Sequence, residues 1–155
     1  LAMFGGGSIS NKTSRLYQSL VEKDLAASVS AGVQATIDPY LYEILAICQP
    51  GQSLDKVQEI INSEIDRLQN TLVSSEEIKR AIKQAKALFA YGSESITNQA
   101  FWLGYASMFA DHAWFENYIE QIEDVTPRMV AETARKYLDP EHRIIGIYKP
   151  RGNGD

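Results

Sequence analysis

Two runs of period-two patterning, followed by a train of period-3.6 patterning, decide what this chain of 155 residues can become. From Leu25 to Thr36 small and β-branched residues alternate, with Leu25, Ala27, Val29, Ala31 and Val33 on one side. Successive side chains of a strand point to opposite faces, so the run predicts a strand with one buried face. Tyr40 to Cys48 is almost continuously apolar and predicts a second strand, buried on both faces. Ile37-Asp38-Pro39 between them is a turn. The two runs therefore predict an antiparallel hairpin.

The helical train starts after Pro50-Gly51, with Ser53 placed as an N-cap. Leu54, Val57, Ile60, Ile61, Ile65 and Leu68 form an apolar stripe, opposed by Glu59, Asn62, Asp66 and Gln69. Ser74-Ser-Glu-Glu77 is a capping box that opens a helix through Ile78, Ile82, Ala85 and Phe89. Gly92 to Ser95 interrupts, a helix runs from about Ile96 to Ala110, and Trp114 to Ile122 predicts one short helix. Thr126-Pro127 is an N-cap followed by proline at the first helical position, and Asp139-Pro140 stops that helix. Arg143 to Tyr148 predicts a third strand.

Strands early and helices bunched later predict an α+β fold, a mostly antiparallel sheet packed by helices. Residues 1–150 form a single domain and 151–155 a loose tail. Three strands make a thin sheet. Leu1 to Phe4 run apolar into glycine, as a last helical turn runs into its C-cap. Both features predict a domain that is N-terminally incomplete.

Composition narrows the function classes. The net charge is −5 with scattered Lys and Arg, which argues against nucleic acid as a partner. No apolar run reaches the roughly 18 residues of a membrane span, so a soluble chain is expected; compartment is not specified. Cys48 is the single cysteine, excludes an internal disulfide and is expected in the core. The only histidines are His112 and His142, and His112 with Glu116 lacks the second histidine a zinc helix needs. No metal site and no catalytic residue is predicted within the chain.

The chemical signal that remains is Gly5-Gly6-Gly7-Ser8, running through Lys12 into Ser14-Arg-Leu-Tyr17. Consecutive glycines strip side chains from the backbone and let another chain or ligand approach closely. Ser14 is placed to cap a helix to Lys23, with Leu16 and Leu20 on one face, and free amides at that N-terminus would favour anions or carbonyl oxygens. Gly6 to Thr13 resembles a phosphate-binding loop only faintly, because Asn11 stands where glycine should precede lysine. Trp102, Tyr105, Phe109, Trp114, Phe115 and Tyr118 concentrate aromatics in one region. They fit a peptide groove, and equally a helix–helix core or an interface with a sister domain.

Phe4-Gly-Gly-Gly7, Ser14-Arg-Leu-Tyr17, Leu20-Val-Glu-Lys23 and Leu25-Ala-Ala-Ser-Val-Ser-Ala31 resemble the second-domain segment of the insulinase (pitrilysin) zinc metallopeptidases. The branch is similar to bacterial enzymes related to the mitochondrial processing peptidase. Glu77 to Lys86, Val125-Thr-Pro127 with Val130, and Tyr137 to Pro150 follow the same pattern in the same order. The resemblance implies homologous α+β domains paired around a closed chamber. It puts zinc in a catalytic half, on an inverted motif absent from this chain, and so no cofactor in this segment. The implied partners are that catalytic domain or subunit and a peptide substrate, with a homodimer left open.

The carry-over places the substrate contact on Gly5, Gly6, Gly7 and Ser8. Active second domains of the family often also carry an arginine in the helix after Ser-Arg-Leu-Tyr and a tyrosine at the start of the next strand. Here that helix reads Leu20-Val-Glu-Lys23 and Ala27 stands at the tyrosine position, while Arg15 is expected to be structural. The leading expectation is a C-terminal, non-catalytic part of a zinc metalloendopeptidase that closes the peptide chamber and positions substrate. The alternatives are an inactive peptidase-like partner or assembly subunit, and a phosphate- or nucleotide-binding domain built on the glycine loop.

Overall fold

The computed structural model describes residue 4, residues 12–33, 36 and 38, and residues 40–108 and 110–149. A π-helical turn, Tyr17–Val21, leads through Asp24 into strand β1, Ala26–Val33, which pairs antiparallel with β2, Tyr42–Cys48. Asp24 takes a left-handed φ of 54°, a conformation that Asp tolerates better than most residues. The Thr36 hydroxyl donates to the Asp38 carbonyl at 2.6 Å inside the hairpin loop. After β2, Gln49 to Gln52 closes a turn with Gly51 at φ 82°, the type II geometry that wants proline then glycine.

Among the described residues six α-helices follow, α1, Leu54–Asn70; α2, Ser75–Gly92; α3, Ile96–Ala106; α4, His112–Glu116; α5, Tyr118–Glu123; and α6, Pro127–Tyr137, and then a 3-10 turn, Pro140–His142. The caps act as the sequence predicts. Ser53, Ser74 and Thr126 accept the backbone N–H of Lys56, Glu77 and Met129. Helix α6 packs along α1, where Ala131 and Ala134 allow close approach. The Gln69 side-chain amide donates to the carbonyls of Ala134, which also accepts the Leu138 N–H, and of Leu138, and so ties α1 to the end of α6. The core joins Phe4, Leu16, Leu20, Leu25, Val57, Ile65, Leu68, Val73 and Ile78 with Ala134.

The α+β class stands, with four differences in detail. The Arg143–Tyr148 run forms no strand: residues 143–149 have no regular structure, so the sheet of the described residues has two strands. Without a ladder partner beside it, β propensity has nothing to act on. Strand β2 is half-buried on one face only; Tyr42, Ile44, Ala46 and Cys48 pack against the core, while Leu45 and Ile47 are exposed. In β1 a register shift between Ala26 and Ser28 breaks the expected alternation, so Leu25 and Ala26 are both buried and Ala27 is exposed. The single helix expected over Trp114 to Ile122 is two, α4 and α5, separated at Asn117.

Candidate substrate-positioning site

The predicted contact residues, Gly5, Gly6, Gly7 and Ser8, lie outside the described residues. What the structure describes is the frame at both ends of that glycine stretch. On one side Phe4 is buried in the core, and its carbonyl accepts the Leu16 N–H at 3.0 Å. On the other side Ser14 is fully buried, Leu16 and Leu20 fill the core beneath it, and Thr13 accepts from the Gln84 side chain of α2 at 3.3 Å.

Arg15 provides the strongest polar tie. Its guanidinium grips the Glu77 carboxylate through two bonds, Nε–Oε1 at 2.7 Å and Nη2–Oε2 at 3.1 Å. Both side chains are largely buried. The planar fork of arginine matches a carboxylate in this bidentate way, which fixes direction as well as distance. The hydrogen bond to Arg15, opposed in part by burial, holds the Glu77 carboxyl below its ordinary range, and Glu77 in turn raises Arg15. Glu77 thus plays a double part: its N–H completes the Ser74 cap, while its carboxylate ties the residues after the glycines to the start of α2. The sequence shows the capping box and not the ion pair, because nothing local links positions 62 residues apart.

Beside this pair Glu64 of α1 is buried, with one carboxylate oxygen accepting from Arg67 at 2.9 Å. Its other oxygen and Arg15 Nη1 are buried without a hydrogen-bond partner among the described residues. Glu64 also contributes to raising Arg15.

The amides predicted to be free for an anion are already engaged. Leu16 N–H donates to Phe4, Tyr17 N–H to the Ser14 hydroxyl at 3.4 Å, and Gln18 N–H to the Ser14 carbonyl at 3.1 Å. The turn they begin is a five-residue π-helix. A phosphate would have to displace internal partners, which weakens that reading.

The aromatic region resolves into two parts. Phe89 of α2 meets Phe115 at 5.0 Å and Tyr118 at 5.3 Å between ring centroids, and Trp114 meets Tyr118 at 5.4 Å. These rings tie α2 to α4 and α5, a helix–helix contact. Along α3 Phe101 stacks on Tyr105 and Trp102 meets both rings edge-on, with Phe101 exposed. Phe109 lies outside the described residues.

No group of three or more His, Cys, Asp and Glu side chains that could hold a metal comes together among the described residues. His142 has Nδ1 against Asp139 at 3.0 Å, and His112 stands at the start of α4. These residues do not fit a zinc ion. No helix of the described residues is long and apolar enough to cross a membrane. Ala27 sits at the exposed irregularity of β1, so no ring extends from that position.

Comparison with known proteins agrees with this geometry. The family model of the peptidase M16 inactive domain matches residues 1–85. Among solved structures, the inactive peptidase domain of a zinc protease from Bordetella parapertussis superposes with a TM-score of 0.83 at 24% identity, covering 98% of this chain and 81% of that one. A chain named as a zinc protease from Bordetella pertussis Tohama I gives 0.79 at 24% identity, over 96% of this chain and 81% of that one. A protease from Helicobacter pylori gives 0.79 at 20% identity, with this chain spanning 32% of its length. No match is found among curated proteins.

Proposed function

We propose, from the premise that this chain belongs to the insulinase-like peptidase M16 family as its inactive domain, that it closes a peptide chamber and positions substrate for a catalytic half carrying the zinc. The chain is the non-catalytic part of such a peptidase. Its partners in this reading are the catalytic domain or subunit and an extended peptide, met by Gly5, Gly6, Gly7 and Ser8.

The observation that carries the reading is the frame around the glycine stretch. Phe4 is pinned to Leu16, and Arg15 is pinned to Glu77 on the first turn of α2. Three glycines without side chains, in a segment tied to the scaffold at Phe4 before them and at Arg15 after them, are suited to meet a peptide backbone. Peptide recognition of this type works through main-chain hydrogen bonds, which need close approach.

The test replaces Gly6 and Gly7 by valine in the native protein and follows cleavage of a quenched-fluorescent peptide. The expected result is a tenfold or greater loss in kcat/KM, carried mainly by KM, with zinc content unchanged. Unchanged kinetics would remove the glycines from the substrate path. A second reading, an inactive partner or assembly subunit, draws on Ala27, where the resemblance expects a tyrosine. It predicts neither zinc nor cleavage in the native protein, and a peptidase-like chain that co-purifies.

A further inference from the structure

Glu64 of α1 is 8% exposed, and a carboxylate set so deep needs hydrogen bonds at both oxygens. Its Oε1 accepts from Arg67, whose own side chain is well exposed, so that pair faces outward. Its Oε2 is buried without a hydrogen-bond partner among the described residues, and so is Nη1 of Arg15. One atom is an acceptor on an anion and the other a donor on a cation. Glu64 also helps to raise Arg15, which places the two charges within electrostatic reach. The Arg15 fork spends Nε and Nη2 on Glu77 of α2, which leaves Nη1 for a second partner.

No hydrogen bond joins Nη1 to Oε2 directly, and neither atom is open to bulk solvent. A single internal water donates and accepts at once, and two to four polar partners are what such a water requires. We infer that Glu64 is a positioning residue for the glycine stretch, linked to Arg15 through one buried water that accepts from Nη1 and donates to Oε2. Arg15 is then held from two helices, by Glu77 on the first turn of α2 and by Glu64 on α1. A bidentate carboxylate fixes the direction of the guanidinium, and an anchor on a different helix stops the pair from hinging as a unit. Arg15 and Arg67 balance Glu64 and Glu77, so the network buries no net charge.

Arg15 directly precedes Leu16, whose N–H closes on the Phe4 carbonyl across the glycines. What fixes Arg15 therefore fixes the segment in which the glycine stretch ends. The kinetic consequence rests on the reading of that stretch as a substrate contact; the link between Glu64 and Arg15 does not.

High-resolution crystallography of the native protein tests the link without any variant. A water about 3 Å from both Arg15 Nη1 and Glu64 Oε2 is expected. A direct bond between them, a different group on either atom, or no partner at all overturns the inference. Glu64→Leu tests the positioning role. Hydrogen exchange at residues 12–21 is expected to rise about tenfold or more, while Pro127–Tyr137, packed along α1, stays within about twofold. The KM for a quenched-fluorescent peptide is expected to rise about fivefold with kcat little changed, and Glu64→Gln, which keeps an acceptor oxygen, is expected to restore it. In an Arg15→Lys background, which has no Nη1, Glu64→Leu is expected to add less than about twofold. Effects that multiply would make the two residues independent and overturn the inference, as would unchanged exchange at residues 12–21. Faster exchange with an unchanged KM, or a native protein without cleavage, leaves the link standing and overturns the substrate reading instead.

Discussion

Leu16 and Leu20 retain no solvent exposure, whereas Ile96 keeps 85% and Phe101 60%, although α3 is the more apolar of the two surroundings. The difference lies in what each segment is pressed against. The turn holding the leucines has β1 on one side and α1 on the other, with Phe4 and Arg15 tying its neighbours down. Helix α3 packs chiefly on the five-residue α4. Apolar content sets how much a segment can gain by burial, and the number of elements converging on it sets how much it does gain. The glycine stretch of the proposed substrate contact adjoins the converged region, and α3 belongs to the open one.

Truncation breaks the comparison most directly. Leu20→Ala removes a fully buried side chain from the core and is expected to cost about 3–4 kcal/mol in denaturant unfolding. Phe101→Ala on α3, by contrast, is expected to cost about 1 kcal/mol or less, since most of that ring already faces solvent. Equal losses would mean that α3 is packed in solution and that the contrast is false.

The Arg15–Glu77 pair gives the next largest effect. Glu77→Gln leaves a largely buried guanidinium half-partnered and is expected to cost about 2–3 kcal/mol, between the exposed and fully buried limits for ion pairs. The pH dependence has a definite sign. Because the folded carboxyl titrates below its ordinary value of 4.5, its contribution is complete at neutral pH and is lost as pH falls through and below that value. The gap between wild type and Glu77→Gln should therefore close in acid. A gap that widened below 4.5 would contradict the role of the pair.

Smaller still is the Thr126→Ala change at the start of α6, expected at about 1 kcal/mol for a lost cap. Breaking the Lys86–Glu123 pair between α2 and α5 should change stability by about 0.5 kcal/mol or less, because both side chains are well exposed. A large loss there would move α5 into the converged region.

Much of the architecture was legible in the sequence where the signal is local. The hairpin, the amphipathic α1 and the caps at Ser53, Ser74 and Thr126 each follow from period or from one side chain beside one backbone amide. The misses are tertiary. Arg143–Tyr148 has strand composition, yet composition does not supply a neighbour to pair with. The β1 irregularity at Ala27 moves the exposed and buried sides by one residue, which an alternation rule does not foresee. At the site, the glycines and Ser14 are visible in the sequence; the engagement of the first amides and the Arg15–Glu77 tie are not, since their partners come from distant positions.

The central claim is that this chain serves a zinc peptidase without holding its zinc. Its most direct test is zinc content and chelator-sensitive peptide cleavage by the native protein, before and after replacing both His112 and His142 by alanine. These are the only histidines in the chain. The account predicts about one zinc per catalytic half and cleavage abolished by chelator, both retained in the double variant. Loss of zinc in that variant would contradict it, and a native protein with neither zinc nor cleavage would leave the assembly subunit as the reading that stands.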